Sequence, residues 1–407
     1  MTQNRNYGIF SIPVVVGALG YFVDIYDLLL FGIVRKQSLM DLGMQGDQLV
    51  TQGERIISWQ MAGLLIGGII WGIMGDRKGR LSVLFGSILM YSLANIANGM
   101  VTTVDQYALV RFIAGIGLAG ELGAGITLVA ELLPREKRGL GTSIVAGLGL
   151  TGAVVAFFVS QSFDWRLCYY IGGALGLLLL LLRVSVFESG MFEAAKEAEV
   201  EKGNLLMFFN NKERFRKYMV SILIGLPTWY VIGVLVTFSD QFGKAFGIAE
   251  NIMPGKAIMF AYAGISIGDI VIGFVSQAMR SRKNALYLFY FLTAVGILIF
   301  FNQGARDAAT MYWICGFLGF ATGFWAIFVT MAAEQFGTNL RATAATTVPN
   351  VVRGSLPLIL LLFKSLRGSM AYATAGLITG GVVMLIATLA AIAAKETFGK
   401  DLNFLER

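Results

Sequence analysis

Of 407 residues, 56% are hydrophobic and only 14% charged, a composition too apolar for an ordinary soluble domain and proper to a chain that lives in lipid. There is no histidine, which excludes His-based triads and imidazole metal sites and leaves any proton chemistry near neutral pH to carboxylates. The formal charge of +7 comes from basic residues between apolar runs and not from a groove-reading motif, so it speaks for membrane topology and against nucleic acid.

About twelve apolar runs approach or exceed the roughly 20 residues a helix needs to cross the hydrocarbon core. They lie near 9–34, 55–74, 81–100, 106–130, 140–162 and 167–187, then 218–242, 256–279, 284–303, 310–333, 343–363 and 370–394. Six and six predict an all-α polytopic membrane protein: an N-terminal six-helix bundle over 1–187, a solvated linker over 188–217, and a C-terminal six-helix bundle with a short tail over 218–407. The first span is too long, and too charged in its second half, for a cleaved signal peptide.

That first span carries Asp24, Tyr26 and Asp27. A charge at mid-bilayer costs about 3 kcal/mol even on lenient insertion scales, so its presence points to transport, proton relay or ion pairing. Asp24 and Asp27 are three apart and share a helical face. Two neighbouring carboxylates in low dielectric resist holding both charges, which is how this chain would load a proton; a fixed ion pair or a packing hydrogen bond is the competing reading.

After the second span comes Gly75-Asp76-Arg77-Lys78-Gly79-Arg80, and Ser281-Arg282-Lys283 echoes it after the eighth. Gly75, Asp76, Arg77, Gly79 and Arg80 read as a gating latch, with Asp76 at a positive helix end. The fourth span holds Arg111 and, ten positions on and about 15 Å deeper, Glu121. Glu121 is expected either to be a second protonation site or to donate a hydrogen bond to a neighbouring helix. Cys168 and Cys315 fall inside spans, where packing is their expected role.

In the second half, Trp229 and Tyr230 on the seventh span and Trp325 on the tenth fall near mid-membrane, where they would either line a binding cavity or pack. Tyr26 of the first span is a candidate of the same kind, and Asn350 and Arg353 stand within the eleventh as candidate substrate contacts. A guanidinium at that depth wants an anion, so a negatively charged substrate group is its expected partner, with Asp269 of the eighth span as the internal alternative. Small-residue stripes such as Gly63 with Gly67, Gly68 with Gly72, and Gly264 with Gly268 predict close helix contacts. Basic residues collect in the loops that face one side, which places both termini in the cytoplasm and suits a bacterial inner membrane.

The loop motif at 75–80, joined by Arg111-x-x-x-Gly115, Gly120-Glu121-x-Gly123, Glu131-x-x-Pro134-x-x-x-Arg138-Gly139, Asp24-Ile25-Tyr26-Asp27, Asp164-Trp165-Arg166 and Glu188-Ser189, resembles the major facilitator superfamily, and within it the metabolite:proton symporters and their sugar-porter relatives. The resemblance implies a pairing of Arg111 with Asp27 that a proton would break, a gating role for Asp269, and a cavity lined by the seventh and tenth helices. Breaking the pair would free Arg111 to bind an anionic substrate; snorkelling of Arg111 to the interface is the competing reading. Helix five reads Gly147-Leu-Gly149-Leu-Thr-Gly152 without the Gly-Pro pair of drug:proton antiporters, which disfavours export.

The expectation is a monomeric secondary transporter that moves a small, anionic organic metabolite with protons across the bilayer, by rocking one half against the other. A proton antiporter or uniporter for a neutral or zwitterionic solute is the alternative within transport, and a receptor or scaffold the alternative of another class. No nucleotide loop, metal cluster or activated nucleophile is recognisable, so neither a cofactor nor an enzymatic role is expected.

Overall fold

The structure, a computed structural model, describes residues 11–78, 80–121, 144–187 and 205–400. The linker residues 188–204, the loop motif between 122 and 143 and the side chains of 75–81 lie outside that description.

The helices in chain order are α1 (Ile12–Asp41), α2 (Gln48–Lys78), α3 (Arg80–Gly99), α4 (Val104–Leu118), α5 (Ile144–Ser162) and α6 (Trp165–Phe187). The second half has α7 (Lys212–Tyr230), α8 (Pro254–Met279), α9 (Arg282–Phe301), α10 (Ala308–Ala321, resumed over Trp325–Gln335), α11 (Thr338–Gly354, continued by Leu356–Arg367) and α12 (Tyr372–Ala393). Among the described residues, ten helices are long and apolar enough to cross a membrane, and α3 and α4 complete the twelve. Their outer faces show the side chains that lipid tolerates: Leu181, Trp313 and Leu358 are each about 70% exposed.

Local signals set the starts. Thr103 accepts from Gln106 N at the head of α4, Asn211 from Glu213 N and Arg214 N at α7, Ser281 from Asn284 N at α9, and Asp307 from Thr310 N at α10, each satisfying an orphan amide. α7 contains Pro227 and then loosens into a π-helical stretch, Val231–Val236, where Thr237 N reaches back to Ile232 O.

Packing repeats between the halves. α2 lies on α4 as α8 lies on α10, α3 on α6 as α9 on α12, and α1 on α5 and α6 as α7 on α11 and α12. Glycine makes the closest of these approaches possible: Gly63 abuts the backbone of Phe112 and Gly115 that of Gln60, while Gly264 and Gly268 abut Gly316 and Phe320. Two seams join the halves, α2 against α11 and α5 against α8. Along the first, a Cβ placed on Gly68 would stand 2.7 Å from Asn350 Cβ, and one on Gly72 3.2 Å from Thr347 Cγ2. Across the second, Ser266 Oγ donates to Gly147 O at 2.6 Å.

Candidate functional site

α1 passes through the middle of the molecule with both its aspartates fully buried. Asp27 meets Arg111 of α4: Nη1 donates to Asp27 Oδ1 at 2.9 Å and Nη2 to Asp27 O at 3.0 Å. The guanidinium is further held by Gln60 Oε1 and Asn95 Oδ1, each at 3.3 Å, and lies 5.5 Å from the centre of the Tyr169 ring. Asp27 Oδ2 has no partner. A buried pair held this way is costly to half-dismantle, because the abandoned charge stays desolvated.

Glu121 has its own cation. Arg183 of α6, which sequence reasoning did not single out, grips both carboxylate oxygens, and the pair is 1% exposed on either side. Glu121 is therefore an acceptor in an ion pair rather than the donor of a hydrogen bond to a neighbouring helix. Gly20, one turn before Asp24, is pressed against this pair, and any side chain there would collide with it.

Asp24 is different. Neither of its oxygens has a partner, and the charges around it are those of Arg353, Glu121 and Asp27. Arg353 on α11 is 1% exposed, with Nε and Nη1 unpartnered and its guanidinium carbon 5.6 Å from the centre of the Trp325 ring. Trp325, whose indole Nε1 also lacks a partner, opens the second half of α10.

Asp269 does not serve as the internal partner of Arg353. Its Oδ1 accepts from Ala326 N at 2.9 Å, capping the restarted α10, which is the place for a carboxylate beside unpaired amides. Several expected binding residues also bond within the protein. Tyr26 OH donates to Cys168 O at 3.0 Å within the first half, and Tyr230 OH to Gly376 O at 2.6 Å within the second, so both hydroxyls are engaged by backbone carbonyls. Asn350 donates to Ala119 O at 2.7 Å across the α2–α11 seam and reads as an inter-half contact. Trp229 is buried on α7 beside Thr228, whose Oγ1 has no partner. The expected latch, Gly75, Asp76, Arg77, Gly79 and Arg80, lies outside the described side chains.

Two further ion pairs, absent from the sequence reading, join the halves at the end where α1 finishes and α2 begins. Arg35 Nη2 reaches Asp240 Oδ1 and Thr237 O, both at 3.2 Å, and its guanidinium lies 4.5 Å from the centre of the Phe238 ring. Glu54 of α2 accepts twice from Arg367 of α11, at 2.6 and 3.1 Å.

A sequence model of the Major Facilitator Superfamily matches residues 17–360. The niacin transporter NiaP of Acinetobacter baylyi is 26% identical, over 96% of this chain and 94% of its own. A provisionally assigned metabolite transport protein of Haemophilus influenzae is 26% identical over 83% of this chain and 84% of its own. Among solved structures, the proton:xylose symporter XylE bound to 6-bromo-6-deoxy-D-glucose superposes with a TM-score of 0.69 at 16% identity, over 96% of this chain and 97% of that one, a likeness of fold.

Proposed function

The chain belongs to the major facilitator superfamily of membrane transporters, and from that premise we propose that it performs proton-coupled symport of a small organic metabolite whose anionic group binds Arg353. It is a transporter embedded in the membrane and not an enzyme. The observation that carries the substrate reading is Arg353 itself: a buried guanidinium with two unpartnered nitrogens, midway along an apolar span, is a site suited to a carboxylate or phosphate.

Coupling rests on Asp27 and Arg111. Proton arrival on the free Oδ2 discharges the carboxylate, and Arg111, still held by Gln60 and Asn95, loses its main reason to stay. The halves, 1–187 and 218–407, then rock about the seams with 188–217 as their connector, while the 75–80 motif latches the inner side. With both termini in the cytoplasm of a bacterial inner membrane, an entering proton contributes about 2.3 kcal/mol per 100 mV, enough to concentrate substrate severalfold. A monomer suffices, since both halves of the pathway come from one chain.

Purified protein in proteoliposomes tests the reading. Substrate addition is expected to acidify the lumen, and Asp27→Asn to abolish accumulation under a pH gradient while sparing counterflow exchange. An Asp27→Asn carrier that still accumulates substrate would defeat the coupling, and unchanged affinity in Arg353→Gln would defeat the anion site.

A further inference from the structure

Asp269 caps the restarted α10 and Arg214 donates to Asn210 Oδ1; the remaining buried charges among the described residues fall into two groups. Asp27 with Arg111, Glu121 with Arg183, Arg35 with Asp240 and Glu54 with Arg367 are all in direct ion pairs. Asp24 and Arg353 are not: among the described residues they form no ion pair with each other or with anything else, although each is buried. One stands on the N-terminal half and one on the C-terminal half, on either side of the boundary where alternating access must operate.

As a carboxylate, Asp24 has no donor to either of its oxygens. Arg353 is in the same position with Nε and Nη1, and the nearby Trp325 Nε1 adds a third donor with nothing to donate to. An anion beside Arg353 accounts for the donors but leaves Asp24 as it was. A negatively charged solute lacking a cationic end would sit close to a second negative charge, which low dielectric makes unfavourable.

We infer that the substrate is dipolar, with a carboxylate taken by Arg353 and Trp325 Nε1 on one half and a cationic nitrogen taken by Asp24 on the other. The inference rests on the reading of Arg353 as the anion site and adds the group at the opposite end of the molecule. It also assigns Asp24 to recognition, leaving the proton to Asp27. A solute that spans the two residues neutralises one unpaired buried charge on each half at once, so occupancy itself favours bringing the halves together.

Matched probes of equal shape test this with full-length protein in nanodiscs, by calorimetric titration. Glycine betaine is paired with 3,3-dimethylbutanoate, and 1-methylpyridinium-3-carboxylate with 3-methylbenzoate, so that within each pair only the positive charge differs. In the wild-type protein the dipolar member of at least one pair is expected to bind tenfold or more tightly than its partner, a comparison that needs no variant. The ratio should fall to near one in Asp24→Asn, while Arg353→Gln weakens both members. Equal affinities within both pairs, a preference that survives Asp24→Asn, or no binding by either dipolar probe overturns the dipolar substrate. Equal affinities that both fall in Arg353→Gln would leave the anion site standing, whereas affinities indifferent to Arg353→Gln would sink that earlier reading instead.

Discussion

Glu54 at the start of α2 and Arg367 at the end of α11 form a two-point ion pair across the two halves, 2.6 Å from Nη1 to Oε1 and 3.1 Å from Nη2 to Oε2. Arg35 and Asp240 close the same end beside it, so two separate bonds must break before that end can open. Glu54→Gln combined with Arg35→Ala is expected to shift the population toward the state open there. For partly buried pairs the effect should lie between the exposed and buried limits, roughly 1–3 kcal/mol, or about 5–150-fold in the ratio of states. Spin labels at the exposed positions Gln45 and Ser369 would report it as a longer distance. An unchanged distance distribution would remove the gate.

The Asp27–Arg111 pair makes a stability prediction of unusual sign. Arg111→Ala strands a buried carboxylate and should cost about 3–5 kcal/mol, whereas Asp27→Leu with Arg111→Met removes both charges and should recover most of that loss. Thermal unfolding in detergent measures both variants. Proton-driven uptake should be absent from each, so stability and coupling separate. A double variant no more stable than Arg111→Ala would show that the pair's charges are not what the single variant exposes.

Close contact at the α2–α11 seam depends on a missing side chain. In Gly68→Ala the new Cβ would stand 2.7 Å from Asn350 Cβ, too near for either helix to keep its place. Transport is expected to fall at least tenfold, and Asn350→Gly in the same chain should restore part of it even though the hydrogen bond to Ala119 O is lost. Uptake rates for the single and double variants decide the matter; no rescue would mean that the clash is not the cause.

Outside the spans, Glu396 ties the end of α12 to the start of α9. Partial burial works against its charge, but Ser281 Oγ and the backbone N–H groups of Phe398, Arg282 and Lys283 donate to it and hold the carboxyl down at about 2. A depressed acid stabilises the fold above its unfolded value of about 4.3, and that contribution drains away as pH falls toward about 2. The group is largely solvent-facing and screened, so Glu396→Gln at neutral pH should cost only about 1 kcal/mol. Hydrogen exchange at residues 394–398 should accelerate in that variant, and in the parent protein below pH 4; equal rates would falsify the latch.

Much of the fold was legible in one dimension, because lipid imposes a rule that each segment must satisfy alone. A stretch of about 20 apolar residues closes its own backbone hydrogen bonds, so the helices and their six-and-six grouping follow from local composition. The ends were less legible. The tenth span was expected as one helix over 310–333, yet it breaks after Ala321 and restarts at Trp325, where Asp269 from a different helix caps the new start. No local signal in residues 310–333 announces that cap.

Hydropathy is a property of each residue and its near neighbours, so it alone makes this a helical membrane protein and puts Asp24, Asp27, Arg111, Glu121 and Arg353 in lipid-spanning segments. The pairing of Arg111 with Asp27 was implied by the family resemblance, but the other partners came from the three-dimensional arrangement. Arg183 reaches Glu121 from 62 positions away, Tyr26 and Tyr230 turn out to be bonded to backbone carbonyls, and Asp24 and Arg353 are left over. Pairing depends on how helices cross and on which glycines let them approach, and a side chain's partner in low dielectric is set by a few ångströms of space that sequence separation does not encode.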